Sequence, residues 1–164
     1  MSERDGAAIA RSILAGALSG MRGAAGPALA ALQLRDTRVS RRDRLPRRLL
    51  AAESAPRVTA AIAAGEVAAD KHTGMPERVA APALLARAAA GALAAVALVP
   101  RRASLQVVVA HGLIGAGAAI LTTNLSYHAR QRLARWNGTG DRLVALAEDA
   151  FTYGGGVLAM RRMR

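Results

Sequence analysis

The sequence predicts an all-α protein, a polytopic transmembrane helical bundle of about five spans forming a single domain over residues 1–164. Three observations predict it. The chain is 52% hydrophobic but only 2% aromatic, its apolar mass being Ala, Leu, Val and 16 Gly. Such small residues suit closely approaching helix backbones better than a thick aqueous core, which leans on aromatics for volume. No segment alternates with the period of two that marks a strand, and Ala and Leu favour helix. Finally, Ala103 to Ala129 carries no formal charge, only His111 and His128, and is long enough for the ~30 Å of hydrocarbon that about 20 residues cross.

Five apolar segments follow in order. The first, Ala7 to Leu34, carries Arg11 and Arg22, with Gly23, Gly26 and Pro27 as break points. Arg4 and Arg11 precede its apolar run, which is too long and Gly-broken for an ordinary signal peptide, so it reads as a first span. The second, Val58 to Asp70, is short for a full crossing. The third, Val79 to Val99, holds Arg87 and is stopped by Pro100. The fourth is the charge-free stretch, and the fifth runs from Leu143 to Met160 with Glu148 and Asp149 inside it.

Charge orients the bundle. The net charge is +12, and the stretch 35–57 is crowded with Arg41, Arg42, Arg44, Arg47 and Arg48. The positive-inside tendency places this loop, Arg101, Arg102 and the C-terminal arginines in the cytoplasm, with the N-terminus outside. Leu45, Leu49 and Leu50 make part of the loop an interfacial helix, its five arginines facing anionic lipid headgroups. A weak repeat relates residues 7–70 to 103–160. Each copy has a Gly-rich helix, a basic stretch and an apolar helix carrying Glu66 or Glu148. One span between the copies would invert them, the arrangement of many transporters.

The chemistry lies in ionisable groups within apolar segments, which are expensive there and mark a site or a buried partner. Glu66 and Asp70, four apart, share one helix face, where two carboxylates suit a cation or a proton relay. Lys71 follows directly. The blander reading pairs them with Arg22 or Arg87. Glu148 and Asp149 project about 100° apart, so only one can face a small site, and Glu148 is the repeat partner of Glu66. Arg22, among Gly20, Gly23 and Gly26, suits either an anionic group at a helix break or a structural ion pair with Glu66 or Glu148. His111 is expected to hydrogen-bond a neighbouring helix, Gly16-x-x-x-Gly20 to pack closely, and Gly154-Gly155-Gly156 to mark a crossing or a break.

Other chemistries find no support. Without cysteine there is no thiolate site. The three histidines are too scattered for a metal motif, no dinucleotide fingerprint is completed, and no nucleophile elbow exists. The sequence calls for no cofactor and no specific reaction. A pI of 11.8 favours nucleic acid, but the charge-free segment and the lack of stacking aromatics oppose it.

Glu66-Val-Ala-Ala-Asp70-Lys71, then Pro76-Glu-Arg78, Pro82, Ala86-Arg87 and Gly91-Ala92, form a recognisable pattern, together with Gly20-Met-Arg22 and Leu146-Ala-Glu148-Asp149-Ala150. The pattern resembles the small bacterial integral membrane proteins of domain-of-unknown-function family 4126, over nearly the whole chain. His72-Thr73 departs from it, where an apolar residue and Pro are expected. The resemblance implies a multi-pass protein of the bacterial inner membrane and no known activity. The resulting expectation is a small transporter or channel-like protein, a homo-oligomer with its C-terminus in the cytoplasm. The alternative is a membrane scaffold or lipid-associated subunit whose buried charges are structural.

Overall fold

The computed structural model describes residues 3–69 and 80–137, together with Gly154 and Gly156. The fold is all-α, with no strand among the described residues. Six helices follow in order: α1 (Glu3–Met21), α2 (Ala25–Leu34), α3 (Leu45–Leu50), α4 (Ala55–Ala69), α5 (Ala81–Leu98) and α6 (Leu105–Asn137). Two of them are long and apolar enough to cross a membrane, α5 and the Leu105–Ala129 part of α6. The expected five spans therefore reduce to two among the described residues. At 1.5 Å per residue, α4 is only about 22 Å long. The fifth apolar segment lies outside the described residues except for its two glycines.

The first apolar segment is not one span. It breaks at residues 22–24 into α1 and α2, which fold back on each other. At Gly26 an added Cβ would strike the Ala15 carbonyl and the Ser19 hydroxyl of α1, so glycine lets the helices touch. Pro27 does not break α2. It sits in the first turn, where a helix needs no N–H donor.

The centre of the fold is the packing of α1, α5 and α6 around three glycines. A Cβ at Gly91 would lie 2.7 Å from the Gly115 carbonyl oxygen, and one at Gly16 would collide with that same oxygen. Gly20 is equally tight against Ala119 and Thr122. Hydrogen bonds fasten the seam. Thr122 donates to the Ala17 carbonyl at 2.9 Å, Thr123 donates to that of Gly20 at 3.0 Å, and Ser12 Oγ pairs with buried His111 Nδ1 at 2.6 Å. The expected inter-helix bond of His111 is thus present, as is the close packing at Gly16 and Gly20.

These contacts also fix direction. Ser12, Gly16 and Gly20 meet His111, Gly115 and Thr123 in the same order, so α1 and α6 run parallel. Gly91 beside Gly115 and Val96 beside Gly112 make α5 antiparallel to both. α1 and α6, the leading helices of residues 7–70 and 103–160, run the same way, where an inverted repeat sets them opposite. One expectation is corrected here: since the first segment turns back at residues 22–24, the start of α1 lies at the same end as the basic loop, not across from it.

That loop is bound tightly to the α5–α6 turn. Asp43, whose side chain is 2% exposed, takes a two-pronged pair from Arg101, Nε to Oδ1 at 2.5 Å and Nη2 to Oδ2 at 2.6 Å. Arg44 donates to the carbonyls of Pro100, Arg101 and Ala103. Arg47 donates to those of Ala97 and Val99, at the end of α5. The last carbonyls of a helix have no internal partners and attract cations. Burial holds the Arg47 guanidinium below its ordinary value. Arg44 and Arg47 are therefore spent largely on the protein, while Arg41, Arg42 and Arg48 stay exposed. In α3, Leu45 and Leu49 are exposed as an interfacial helix requires, but Leu50 belongs to the core.

The Asp43 carboxyl is held below its ordinary range, first by the Ser40 N–H and then by Arg101, with burial opposing. A depressed carboxylate stabilises the fold above its unfolded value, ~3.9, and that stability disappears as pH falls through the folded value. Proteolysis within residues 35–50 should therefore stay slow down to about pH 4 and quicken below it. Asp43→Asn should be cut quickly at every pH, and an unchanged profile would refute the brace.

Side-chain size is distributed in reverse of a soluble domain. Among the described residues, the largest fully buried side chains are Thr123, Ser12 and Ser19. The core around them is mostly Ala15, Ala25, Ala30, Ala31, Ala94 and Ala97 with a few leucines. Outside, Leu105 is 76% exposed and Leu113 68%, and Val109, Leu121 and Leu125 of α6 are exposed as well. Small residues inside and large apolar residues outside match helices packed in lipid.

Candidate functional site

The break between α1 and α2 sits at one end of a cavity of about 720 Å³. Its floor is α2, and its walls are α4 on one side and α5 on the other. Arg22, Glu66 and Arg87 all line it, with Gly23 and Ala24 of the break. Toward the basic end of the molecule the lining becomes Leu49, Leu50, Val58, Ile62 and Leu93. Leu49, Val58 and Ile62 are about half exposed, so the cavity is a cleft open between α4 and α5.

The three charged groups are placed by the ends of the broken helix. Both ends carry unpaired backbone groups, N–H at the start of α2 and C=O at the end of α1. No side chain of the break itself caps α2, whose N-cap residue is Ala24. The cap comes instead from α4, where Glu66 Oε2 accepts the Ala24 N–H at 3.2 Å. The other end is met from α5, where Arg87 Nη1 donates to the Gly20 carbonyl at 3.3 Å. An anion at a helix start and a cation at a helix end each match the helix dipole. Gly23 makes this possible. A Cβ there would lie 2.5 Å from Glu66 Oε1 and 3.8 Å from Arg87 Cγ. Arg22, only 3% exposed, sits in the break itself, and both arginines have further interactions within the protein.

Of the residues singled out by sequence, the structure brings Arg22, Glu66 and Arg87 to one cavity. Asp70, Lys71, Glu148 and Asp149 lie outside the described residues. Arg22 was expected at a broken helix with exposed N–H groups, and the break is there. The N–H of Ala24, however, is already taken by Glu66. Among the described residues no three His, Asp or Glu side chains gather as a metal site. Gly156, from the glycine triplet, packs closely on Leu18 and Leu29.

Sequence reasoning missed the apolar wall. A signal for it existed: Val58, Ile62 and Glu66 are spaced by four, which puts them on one stripe of α4. Attention to Glu66 and Asp70 alone hid that stripe. The α5 wall, Ala83, Ala86, Ala90 and Leu93 with Arg87, carried no such signal, since alanines lie on every face of that helix. Comparison with models of known protein families, with curated proteins and with solved structures finds no match to this chain.

Proposed function

We propose that this chain is a small multi-pass protein of the bacterial inner membrane, transporter-like or channel-like, whose site is the Arg22–Glu66–Arg87 cavity. The family 4126 resemblance belongs to the same proposal, as do its oligomeric assembly and anionic lipid at Arg41, Arg42 and Arg48. One observation carries the reading: a helix interrupted at a cavity, with charged side chains from two other helices at its ends. Transporters build sites from such discontinuous helices, because irregular backbone at membrane depth is tolerated only where it is buried or lines a cavity. The reversed distribution of side-chain size supports the membrane setting.

A second reading is a scaffold whose charges are structural. It is favoured by the same two hydrogen bonds, since each serves a helix end and needs no ligand. The absence of cysteine allows a direct test. Ala90→Cys places one thiol in the cavity wall. If the site alternates between the two sides, a membrane-impermeant thiol reagent should label it in both right-side-out and inside-out vesicles. Labelling from one side or neither would reject the transport reading and leave the scaffold.

A further inference from the structure

We infer that the cleft between α4 and α5 seats an anionic phospholipid of the leaflet on the basic side. Its phosphate lies at Arg48 and Arg57, and one acyl chain lies between the helices. The inference rests on the membrane reading proposed above, and it turns a general attraction for anionic lipid into one bound molecule at one place.

Length and polarity come first. The cleft follows α4 from Ala55, beside α3 and the basic loop, to Glu66 at the helix break. That is about 16 Å at the helical rise. One leaflet supplies half of the ~30 Å of hydrocarbon in a bilayer, about 15 Å. The cleft thus has the depth of a single leaflet, and it begins at the basic end of the molecule. Its mouth is Leu49, Ala52, Ser54 and Ala55, and deeper it is walled by Val58, Ile62, Ala90 and Leu93. Thr59 also lines it, but its hydroxyl donates to the Ala55 carbonyl of its own helix at 2.7 Å. Such walls favour hydrocarbon and give a hydrophilic solute little to bond. Leu49, Val58 and Ile62 are each about half exposed, so an acyl chain enters sideways without leaving the bilayer.

Charge at the mouth selects the head. Arg48 and Arg57 directly precede Leu49 and Val58, two residues of the lining, and both arginines are exposed. Neither forms an ion pair among the described residues. Arg44 and Arg47, by contrast, are engaged with the α5–α6 turn and the end of α5. Between Arg48 and Arg57 the chain carries a single acid, the exposed Glu53. A guanidinium meets a phosphate with a two-pronged fork, and basic side chains beside a membrane draw anionic lipid to that face. At the far end of the cleft Glu66 and Arg87 keep their bonds to the break, and the head is held without them.

The test uses the full chain in phosphatidylcholine nanodiscs. These are doped with phosphatidylglycerol or phosphatidylcholine carrying a diazirine in one acyl chain, and crosslinked residues are located by mass spectrometry. The phosphatidylglycerol probe should label Ile62, Ala90 and Leu93 about tenfold more than the phosphatidylcholine probe, the order of effect that two arginines supply at an anionic headgroup. Both probes should label the exposed leucines of α6 alike. Arg48→Gln combined with Arg57→Gln should bring cleft labelling by phosphatidylglycerol down to the phosphatidylcholine level. Both positions are exposed, so that protein should fold normally. Arg41→Gln with Arg42→Gln removes the same charge elsewhere in the basic loop and should leave cleft labelling unchanged. Ile62→Trp, at a half-exposed position, should fill the cleft and lower its labelling several times without altering that of α6. Equal labelling of the cleft by the two probes, or equal losses in the two arginine pairs, would overturn the inference in favour of a diffuse basic surface. Label confined to α6 would overturn it by showing that no chain enters the cleft. Two-sided labelling of Ala90→Cys without cleft crosslinks would sink this inference alone. Cleft crosslinks without two-sided labelling would sink the transport reading alone.

Discussion

Gly115→Val is expected to prevent stable folding, whereas Gly117→Val, two residues along the same helix, should be nearly silent. An added Cβ at Gly115 would lie 2.5 Å from the Gly91 carbonyl oxygen and 2.6 Å from Ala95 Cβ, while one at Gly117 meets nothing within 4 Å. The obstacle at Gly115 is mainly backbone, which cannot rotate aside as a side-chain tip can. Overpacking typically costs about 1–3 kcal/mol and occasionally more. Here the new side chain would be driven into the α5 backbone at Gly91, so the cost should reach at least about 3 kcal/mol. That is a large part of the ~5–15 kcal/mol that holds an ordinary domain together. Size-exclusion profiles and thermal melts in mild detergent would check it. Equal behaviour of the two variants would refute the three-glycine crossing.

The second large effect is expected at the helix break. Losing a helix cap costs about 0.5–2 kcal/mol, and a hydrogen bond to a charged group is worth about 1.5–3 kcal/mol. Glu66→Ala should fall in the first range and Arg87→Ala in the second. The informative quantity is the double variant. Both side chains hold the same three-residue turn, so once one end is freed the other cap has less to secure. The double variant should therefore be more stable than the sum of the single losses predicts, by at least about 0.5 kcal/mol. Thermal melts of the four proteins would measure this. Strict additivity would mean that the two helix ends are independent and that the break is not one unit.

What the sequence made legible follows from how local each signal is. The all-α character lies in composition and period, and α5 emerged close to its observed limits because it is a long apolar run ended by Pro100. The fourth segment was expected to end at Ala129, yet α6 runs on to Asn137, because arginines end an apolar run without ending a helix. The break at 22–24 was marked by Gly23, and His111 by being a polar group on an apolar helix. What stayed hidden depends on direction and on partners distant in sequence. Hydropathy counts a helical hairpin and a single span alike, so α1 and α2 merged into one segment and the N-terminal end was placed across from the basic loop. Likewise an arginine in a basic loop looks solvated until its partner is known. Arg44 and Arg47 find theirs in carbonyls 50 or more residues away, which no periodicity announces.

The bracing of residues 43–47 against 97–103 has a consequence for how the protein is made. Orientation during membrane insertion is normally negotiated hairpin by hairpin, each following the positive charge of its own short loops. Here two basic loops from different parts of the chain are joined by the Asp43–Arg101 pair and by Arg44 and Arg47. In the multi-pass membrane protein proposed above, they must therefore be retained on one side together. The later hairpin, with Arg101 and Arg102 in its turn, reaches its native contacts only if it is delivered to the side where the earlier loop already waits. A chain that inserted its two halves in opposing senses would hold every helix correctly formed and still be unable to close.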